Sequence, residues 1–204
     1  MNNRKRISRM TAAALLVALV FLFGITPVGL IPLGFINITV LCVPVIIGTL
    51  ALGLKTGLLL GFCFGTASTM SMVGIAMTPP SALASALFAA NPVLALIMCY
   101  VPRLLVPTIC YITYRALSNK KTGSAIAISL SAALGSLTNT VFYLGLMLLF
   151  YSVSGLDTKS ILALIAGTGF IAGGCEAIAA AVISVPVIKS LSKTPIGVFL
   201  GGKE

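Results

Sequence analysis

The chain has 204 residues, of which 59% are hydrophobic and 8% are charged, and its formal net charge is +10. Soluble domains carry about 25% charged residues, so this composition excludes a soluble fold and predicts one polytopic membrane domain over residues 1–204. The basic residues lie at the ends of apolar stretches and are not interleaved with aromatic residues. That pattern indicates a lipid bilayer, not nucleic acid, as the partner.

Six apolar segments approach or exceed the length of about 20 residues that a membrane-spanning helix needs. We predict spans at Ser8–Thr26, Asn37–Leu54, Thr56–Gly74, Pro92–Leu117, Gly123–Val153 and Ser160–Leu191. The first is expected to be retained, because no convincing signal-peptide cleavage site follows its basic start. The short second span contains Pro44, which predicts a kink or tilt. The expected fold class is an all-α integral membrane protein, a bundle of six transmembrane helices.

Lysine and arginine residues predict how these spans are oriented. One side of the predicted membrane carries Arg4, Lys5, Arg6, Arg9, Lys55, Arg115, Lys120, Lys121, Lys189, Lys193 and Lys203. The other side carries Asp157 and Lys159. Because positive residues accumulate in cytoplasmic loops, both termini are expected in the cytoplasm.

Small residues recur at four-residue spacing in three of the segments. The first segment has Ala14 and Ala18, the third has Gly57, Gly61 and Gly65, and the last has Gly169 and Gly173. Such spacing allows helix backbones to approach closely. Packing inside the bundle is favoured for the third segment, whereas docking of a partner helix is a real alternative for the first.

The three connections on the less basic side are unusually apolar for loops. They are Pro27–Ile36, Ile75–Asn91 and Ser154–Lys159, and Ser81–Ala90 within the second has the composition of a short helix. Solvated loops are normally more polar. These connections are expected to fold over the bundle as a lid; the alternative is that they lie in the lipid interface.

Arg103 and Glu176 are the ionised residues that fall well inside predicted spans. Burying an arginine at the bilayer centre costs roughly 2.5–3.5 kcal/mol on insertion scales, so a compensating group is needed. One alternative is an internal Arg103–Glu176 salt bridge. The other is that Arg103 binds a ligand carboxylate, which suits the bidentate geometry of a guanidinium, while Glu176 orients the ligand or a ligand hydroxyl.

Uncharged polar residues near these two positions predict an amphipathic pocket. Asn139 and Tyr143 are four residues apart, on one face of the fifth span. The further candidates are Asn37, Ser68, Ser71, Asn91, Thr138 and Thr168. Each alone is equally consistent with hydrogen bonding between helices, because an unpaired amide or hydroxyl is costly in hydrocarbon.

Several stretches resemble the substrate-binding S component of energy-coupling factor (ECF) vitamin transporters. They are Gly34–Thr39, Val43–Gly48, Gly53–Gly57, Gly61–Ser68, Asn91-Pro92, Val101–Val106 and the paired alanines of the first segment. The resemblance implies a bacterial plasma-membrane protein of six helices with cytoplasmic termini. It also implies a vitamin bound under the outer loops, and docking onto a transmembrane coupling protein and two cytoplasmic ATPases. Ala14 and Ala18 match the docking motif of the family.

Within the family, Val101-Pro102-Arg103 and Thr138-Asn139 are most similar to the pantothenate-specific members. Pantothenate has a carboxylate, an amide and two hydroxyls, which an arginine and asparagines would match. An S component for riboflavin is the nearest alternative, although riboflavin has no carboxylate.

Two other classes of function are less well supported: an intramembrane enzyme, and a self-sufficient channel or secondary transporter. The chain has no histidine, which excludes zinc motifs and histidine-activated nucleophiles, so no catalytic residue, metal site or cofactor is predicted. It also has no P-loop, so ATP hydrolysis is expected in partner subunits. A self-sufficient channel or secondary transporter would need a coupling group, for which only Glu176 is available, and no inverted repeat is evident.

Overall fold

Helices make up nearly all the regular structure of the described chain. The structure, a computed structural model, describes residues 3–27, 29–32, 37–77, 79–118, 124–164 and 169–192. The helices are α1 (Asn3–Ile25), α2 (Cys42–Leu52), α3 (Leu54–Met72), α4 (Ala82–Ala90), α5 (Pro92–Ser118), α6 (Ser124–Val153), α7 (Lys159–Leu164) and α8 (Phe170–Ser192). Two three-residue strands, β1 (Leu30–Pro32) and β2 (Asn37–Thr39), pair antiparallel.

The helical fold class predicted from composition is confirmed. Among the described residues, four helices are long and apolar enough to cross a membrane: Arg6–Ile25, Pro92–Ser118, Ser124–Val153 and Ile171–Ser192. They correspond to the first, fourth, fifth and sixth predicted segments. The short helix expected within Ser81–Ala90 is also present, as α4. The described part of the last predicted segment contains α7 and α8, and residues 165–168 lie outside the described residues.

The prediction of a spanning helix over Asn37–Leu54 is wrong at both ends. Asn37–Thr39 pairs with β1 as a strand, so the helix begins at Cys42. It ends at Leu52 because Gly53 adopts φ 98°, a conformation that glycine accepts without strain. At about 1.5 Å per residue, α2 is far shorter than the roughly 30 Å hydrocarbon core. All its residues are buried, so protein and not lipid surrounds it.

The short helix α2 therefore forms the centre of the bundle. It packs against α1, α3, α5, α6 and α8. Its Val45 and Ile46 belong to an apolar cluster with Leu60 and Phe64 of α3 and Val106 of α5. A second cluster joins α4 to α5 and α6 at one end of the bundle, through buried residues such as Leu87, Met98 and Met147. The hydroxyl of Tyr151 donates to the carbonyl of Leu83 in α4.

The glycines of α3 allow it to lie directly against α5. A Cβ at Gly61 would be 2.6 Å from the backbone oxygen of Arg103, and one at Gly65 would be 2.6 Å from Cδ1 of Tyr100. Gly57 is similarly confined by Thr49 and Pro107. The prediction that this glycine run serves packing inside the bundle is confirmed.

Gly61→Ala tests this seam. The added methyl meets backbone, which can yield only if α3 moves away from α5, and we expect the free energy of unfolding to fall by about 1–3 kcal/mol. Unfolding of the purified protein in detergent measures the change. Gly145→Ala in α6 is the matched control, because a Cβ there meets nothing within 4 Å. An equal loss in both variants would mean that the seam is not the cause.

Candidate ligand-binding site

A cavity lies between α3, α5, α6 and α8, bounded at one end by the start of α4. Its polar walls come from Ser68 and Ser71 of α3, Arg103 of α5, Asn139, Thr140 and Tyr143 of α6, Glu176 of α8 and Ser81 before α4. Its apolar walls come from residues such as Phe64, Ala67, Cys99, Leu144 and Ala172. The mixture of mostly apolar lining with a few convergent polar groups is typical of small-molecule sites.

Arg103 is the buried charge of this cavity, with 4% of its surface exposed. Its Nη1 donates to the backbone oxygen of Met98 at 2.9 Å, and its Nη2 donates to the hydroxyl oxygen of Ser68 at 2.9 Å. The two acceptors are neutral and belong to different helices, α5 and α3. They hold the guanidinium in place without neutralising its charge.

Two aromatic rings flank the same guanidinium. Its central carbon lies 4.5 Å from the ring centroid of Tyr143 and 5.2 Å from that of Phe64. Both distances are within the range of about 6 Å in which an aromatic face attracts a cation, an effect of about 2 kcal/mol or more when the pair is desolvated. The rings therefore stabilise the charge while leaving the edges of the guanidinium available.

Two polar atoms of the site have no hydrogen-bond partner within the described part of the chain. They are Nε of Arg103, a donor, and Oδ1 of Asn139, an acceptor. Asn139 is 6% exposed and lines the cavity together with Arg103. Leaving a buried polar atom unpaired costs about 1–3 kcal/mol, more for a charged group. A ligand that accepts from Arg103 and donates to Asn139 would recover that cost.

The internal Arg103–Glu176 salt bridge considered from the sequence is not what the structure shows. The guanidinium donates to Met98 and Ser68. Oε2 of Glu176 in α8 accepts a hydrogen bond from Oγ1 of Thr140 in α6 at 3.4 Å. Gly173, one turn before Glu176, permits this approach, since a Cβ there would be 2.9 Å from Cγ2 of Thr140. Arg103 and Glu176 thus present separate charges to the cavity.

The structure brings six of the predicted site residues together at the cavity. The lining residues among them are Ser68, Ser71, Arg103, Asn139, Tyr143 and Glu176. Thr138 and Asn91 are not among the residues that line this cavity. Both side chains form hydrogen bonds with the backbone of a helix. The hydroxyl of Thr138 donates to the backbone oxygen of Leu134, and the side-chain oxygen of Asn91 accepts from the backbone N–H of Leu94 in the first turn of α5.

The side chains of two further predicted residues, Asn37 and Thr168, lie outside the part of the chain that the structure describes. Asn37 lies in β2, opposite Pro32 of β1, and Thr168 lies outside the described residues.

Phe64 and Thr140 are lining residues that the sequence reasoning did not identify. Phe64 precedes Ser68 by one helical turn, so the face of α3 that carries Ser68 also carries Phe64. Thr140 follows Asn139 directly and precedes Tyr143 by three residues. These spacings indicate that the residues are neighbours on each helix, but nothing in the sequence indicates which face of either helix meets the cavity.

Comparison with known proteins identifies a family and a relative. The model of the family "ECF transporter, substrate-specific component" matches residues 8–188. The chain is also 30% identical over 164 residues to the pantothenic acid transporter PanT of Lactococcus lactis subsp. cremoris (strain MG1363), which covers 76% of this chain and 78% of that protein. The family match includes every residue that lines the cavity.

Tyr143→Leu tests the stacking of Arg103 between two rings. Leucine keeps the apolar volume but removes one π face, so we expect the ligand-free protein to lose about 1–2 kcal/mol of unfolding free energy. Chemical or thermal unfolding in detergent measures this. Tyr143→Phe keeps the ring and should retain most of the stability. If Phe and Leu destabilise equally, the hydroxyl and not the ring face is responsible.

Proposed function

The chain belongs to the family of ECF transporter substrate-specific components, and from this premise we propose that it is the high-affinity pantothenate-binding subunit of an ATP-driven importer. The observation that carries the proposal is the buried guanidinium of Arg103, which is anchored by neutral groups and has an unpaired Nε. The same cavity is lined by Asn139, whose Oδ1 is also unpaired within the described residues. Arg103 therefore lacks an anionic acceptor, and Asn139 lacks a hydrogen-bond donor.

Pantothenate supplies both missing groups. Its carboxylate would accept charge-assisted hydrogen bonds from Nε and the remaining N–H groups of Arg103. Its amide N–H or one of its hydroxyls would donate to Asn139. The second hydroxyl would donate a hydrogen bond to the carboxylate of Glu176, which also accepts one from Thr140. The match to PanT of Lactococcus lactis supports the same substrate.

Riboflavin, the nearest alternative among vitamins, fits these contacts less well. It would leave Arg103 without an anion, and its flat ring system would need an aromatic face. Phe64 and Tyr143, two aromatic residues that line the cavity, already lie against the guanidinium of Arg103. Pantothenate is therefore the substrate that the contacts favour.

We place the protein in the membrane with six helices, α1, α2, α3, α5, α6 and α8, and with both termini in the cytoplasm. The basic residues at the helix ends support that orientation. Transport by this subunit requires a coupling protein and two ATPases, since the sequence has no nucleotide-binding motif. The chain itself is not an enzyme in this proposal, and it binds its substrate without chemistry.

Docking on the coupling protein is assigned to α1. Ala14 and Ala18 are both exposed on this helix, next to the 62% exposed Leu15. Little of the apolar stretch Arg6–Ile25 of α1 is buried in the bundle. Two alanines one turn apart form a shallow groove where another helix can approach closely.

A secondary transporter is the second candidate function, and Glu176 is the observation that favours it. An intramembrane carboxylate in a cavity is the type of group that couples transport to protons. Uptake into liposomes that contain only this protein would support that alternative, whereas uptake that requires the ATPase partners would support the proposal.

Arg103→Ala tests the substrate-binding role. Removing the guanidinium should weaken pantothenate binding by at least about 100-fold, because a desolvated carboxylate loses a bidentate partner, and Arg103→Lys should recover little. Isothermal titration calorimetry of the purified protein, without ATP, measures the affinity. Arg115→Ala is the matched control, since Arg115 is an exposed arginine in the last turn of the same helix. Unchanged affinity in Arg103→Ala would refute the proposed role.

Ala14→Leu and Ala18→Leu test the docking role. A bulky side chain fills the groove on α1, so uptake by the complete transporter should fall at least about tenfold while pantothenate binding by the isolated subunit is unchanged. Ala116→Leu, at an exposed alanine near the end of α5, should affect neither. Loss of binding together with uptake would indicate a folding defect and count against the docking role.

A further inference from the structure

Helix α5 contains two internal prolines, Pro102 and Pro107. Proline has no backbone N–H, so each deprives the carbonyl four residues earlier of its helical hydrogen bond. The two carbonyls concerned are those of Met98 and Arg103. In a membrane no water replaces the missing donor, so neighbouring groups have to satisfy a carbonyl freed in this way.

The carbonyl freed by Pro102 is the one that holds the arginine. The backbone oxygen of Met98 accepts the 2.9 Å hydrogen bond from Nη1 of Arg103, the residue that directly follows the proline. Met98 and Pro102 are both buried, so the exchange of a backbone donor for a guanidinium donor occurs inside the bundle. In a regular helix the same oxygen would be turned along the helix axis towards the N–H of residue 102.

Pro107 provides an internal contrast. The carbonyl that it frees is that of Arg103, which lies against Gly61 in the seam between α3 and α5. This backbone oxygen lies towards α3, whereas the guanidinium of the same residue donates to Met98 and Ser68. The two prolines therefore have the same local effect on the helix, but only Pro102 acts on the charged group of the cavity.

We propose that Pro102 is a positioning residue for ligand recognition, and that it acts by releasing the Met98 carbonyl to orient Arg103. This inference rests on the proposed function, in which Arg103 binds the substrate carboxylate. With Nη1 on Met98 and Nη2 on Ser68, the guanidinium is fixed between Phe64 and Tyr143 with Nε unpaired. Pro102 thereby sets the preference of the site for a carboxylate over a neutral group.

Restoring the N–H at position 102 should weaken this preference. In Pro102→Ala the new N–H competes for the Met98 carbonyl, and the clash between the proline ring and that carbonyl disappears, so α5 straightens locally. The guanidinium then loses one of its two anchors. We expect the change to affect the carboxylate end of a ligand and to leave contacts elsewhere in the cavity intact.

Two ligands that differ only at that end distinguish positioning from general disruption. They are pantothenate and its neutral alcohol analogue, in which a CH2OH group replaces the carboxylate. For Pro102→Ala the Kd of pantothenate should rise about tenfold, as expected for the loss of a charged hydrogen bond, while that of the alcohol changes less than about twofold. Calorimetry on the full-length protein in detergent gives both constants. Pro107→Ala is the matched control and should keep the wild-type ratio of the two affinities.

Each outcome supports or overturns the inference. If the Pro102→Ala ratio stays at the wild-type value, or if both ligands weaken equally, Pro102 does not position Arg103. If Pro102→Ala does not yield a folded protein, Pro102→Val replaces it, because valine is closer to proline in volume. Pro102→Val is expected to change the ratio of the two Kd values in the same direction. Wild-type protein that binds neither ligand would refute the proposed function itself. Wild-type binding with an unchanged ratio in the variants would refute only the role of Pro102.

Discussion

Arg103 carries a positive charge inside a bundle whose walls are mostly apolar, and the groups that compensate this charge come from three separate helices. Helix α3 provides the hydroxyl of Ser68 and the ring of Phe64, α5 provides the carbonyl of Met98, and α6 provides the ring of Tyr143. No single helix could surround the guanidinium in this way. The charge is therefore stabilised only in the assembled bundle, so the site forms when the helices pack together.

The packing of α3 on α5 follows from the same requirement. Ser68 reaches the guanidinium because the backbones of the two helices are so close that a Cβ at Gly61 would meet the carbonyl of Arg103. A larger residue in the seam would move Ser68 away and remove the hydroxyl from the charge. Glycines that look like ordinary packing residues thus also determine the electrostatics of the cavity. The short, fully buried α2 supports this arrangement by filling the centre of the bundle with apolar side chains.

The sequence predicted the helices better than it predicted the site. Long apolar runs located α1, α5 and α6 within a few residues, because hydrophobic length is a local property. The truncation of α2 depended on pairing between β1 and β2, which no local pattern indicated. Helical spacing placed Asn139 and Tyr143 on one face, and that face does line the cavity. It could not exclude Thr138, which faces away and bonds to Leu134, because spacing identifies faces and not what they meet.

The compensation of Arg103 by neutral groups, and not by Glu176, has a consequence for binding. A guanidinium paired internally with a carboxylate would have to lose that partner before it accepted a ligand, and breaking a buried ion pair costs about 3–5 kcal/mol. Neutral anchors avoid this competition, since the carbonyl of Met98 and the hydroxyl of Ser68 remain in place when an anion arrives. The separate carboxylate, with Thr140, then favours a hydrogen-bond donor at its side of the cavity. A ligand with an anionic end and a hydroxylated end is expected to bind in one orientation only, with its carboxylate towards α3 and α5.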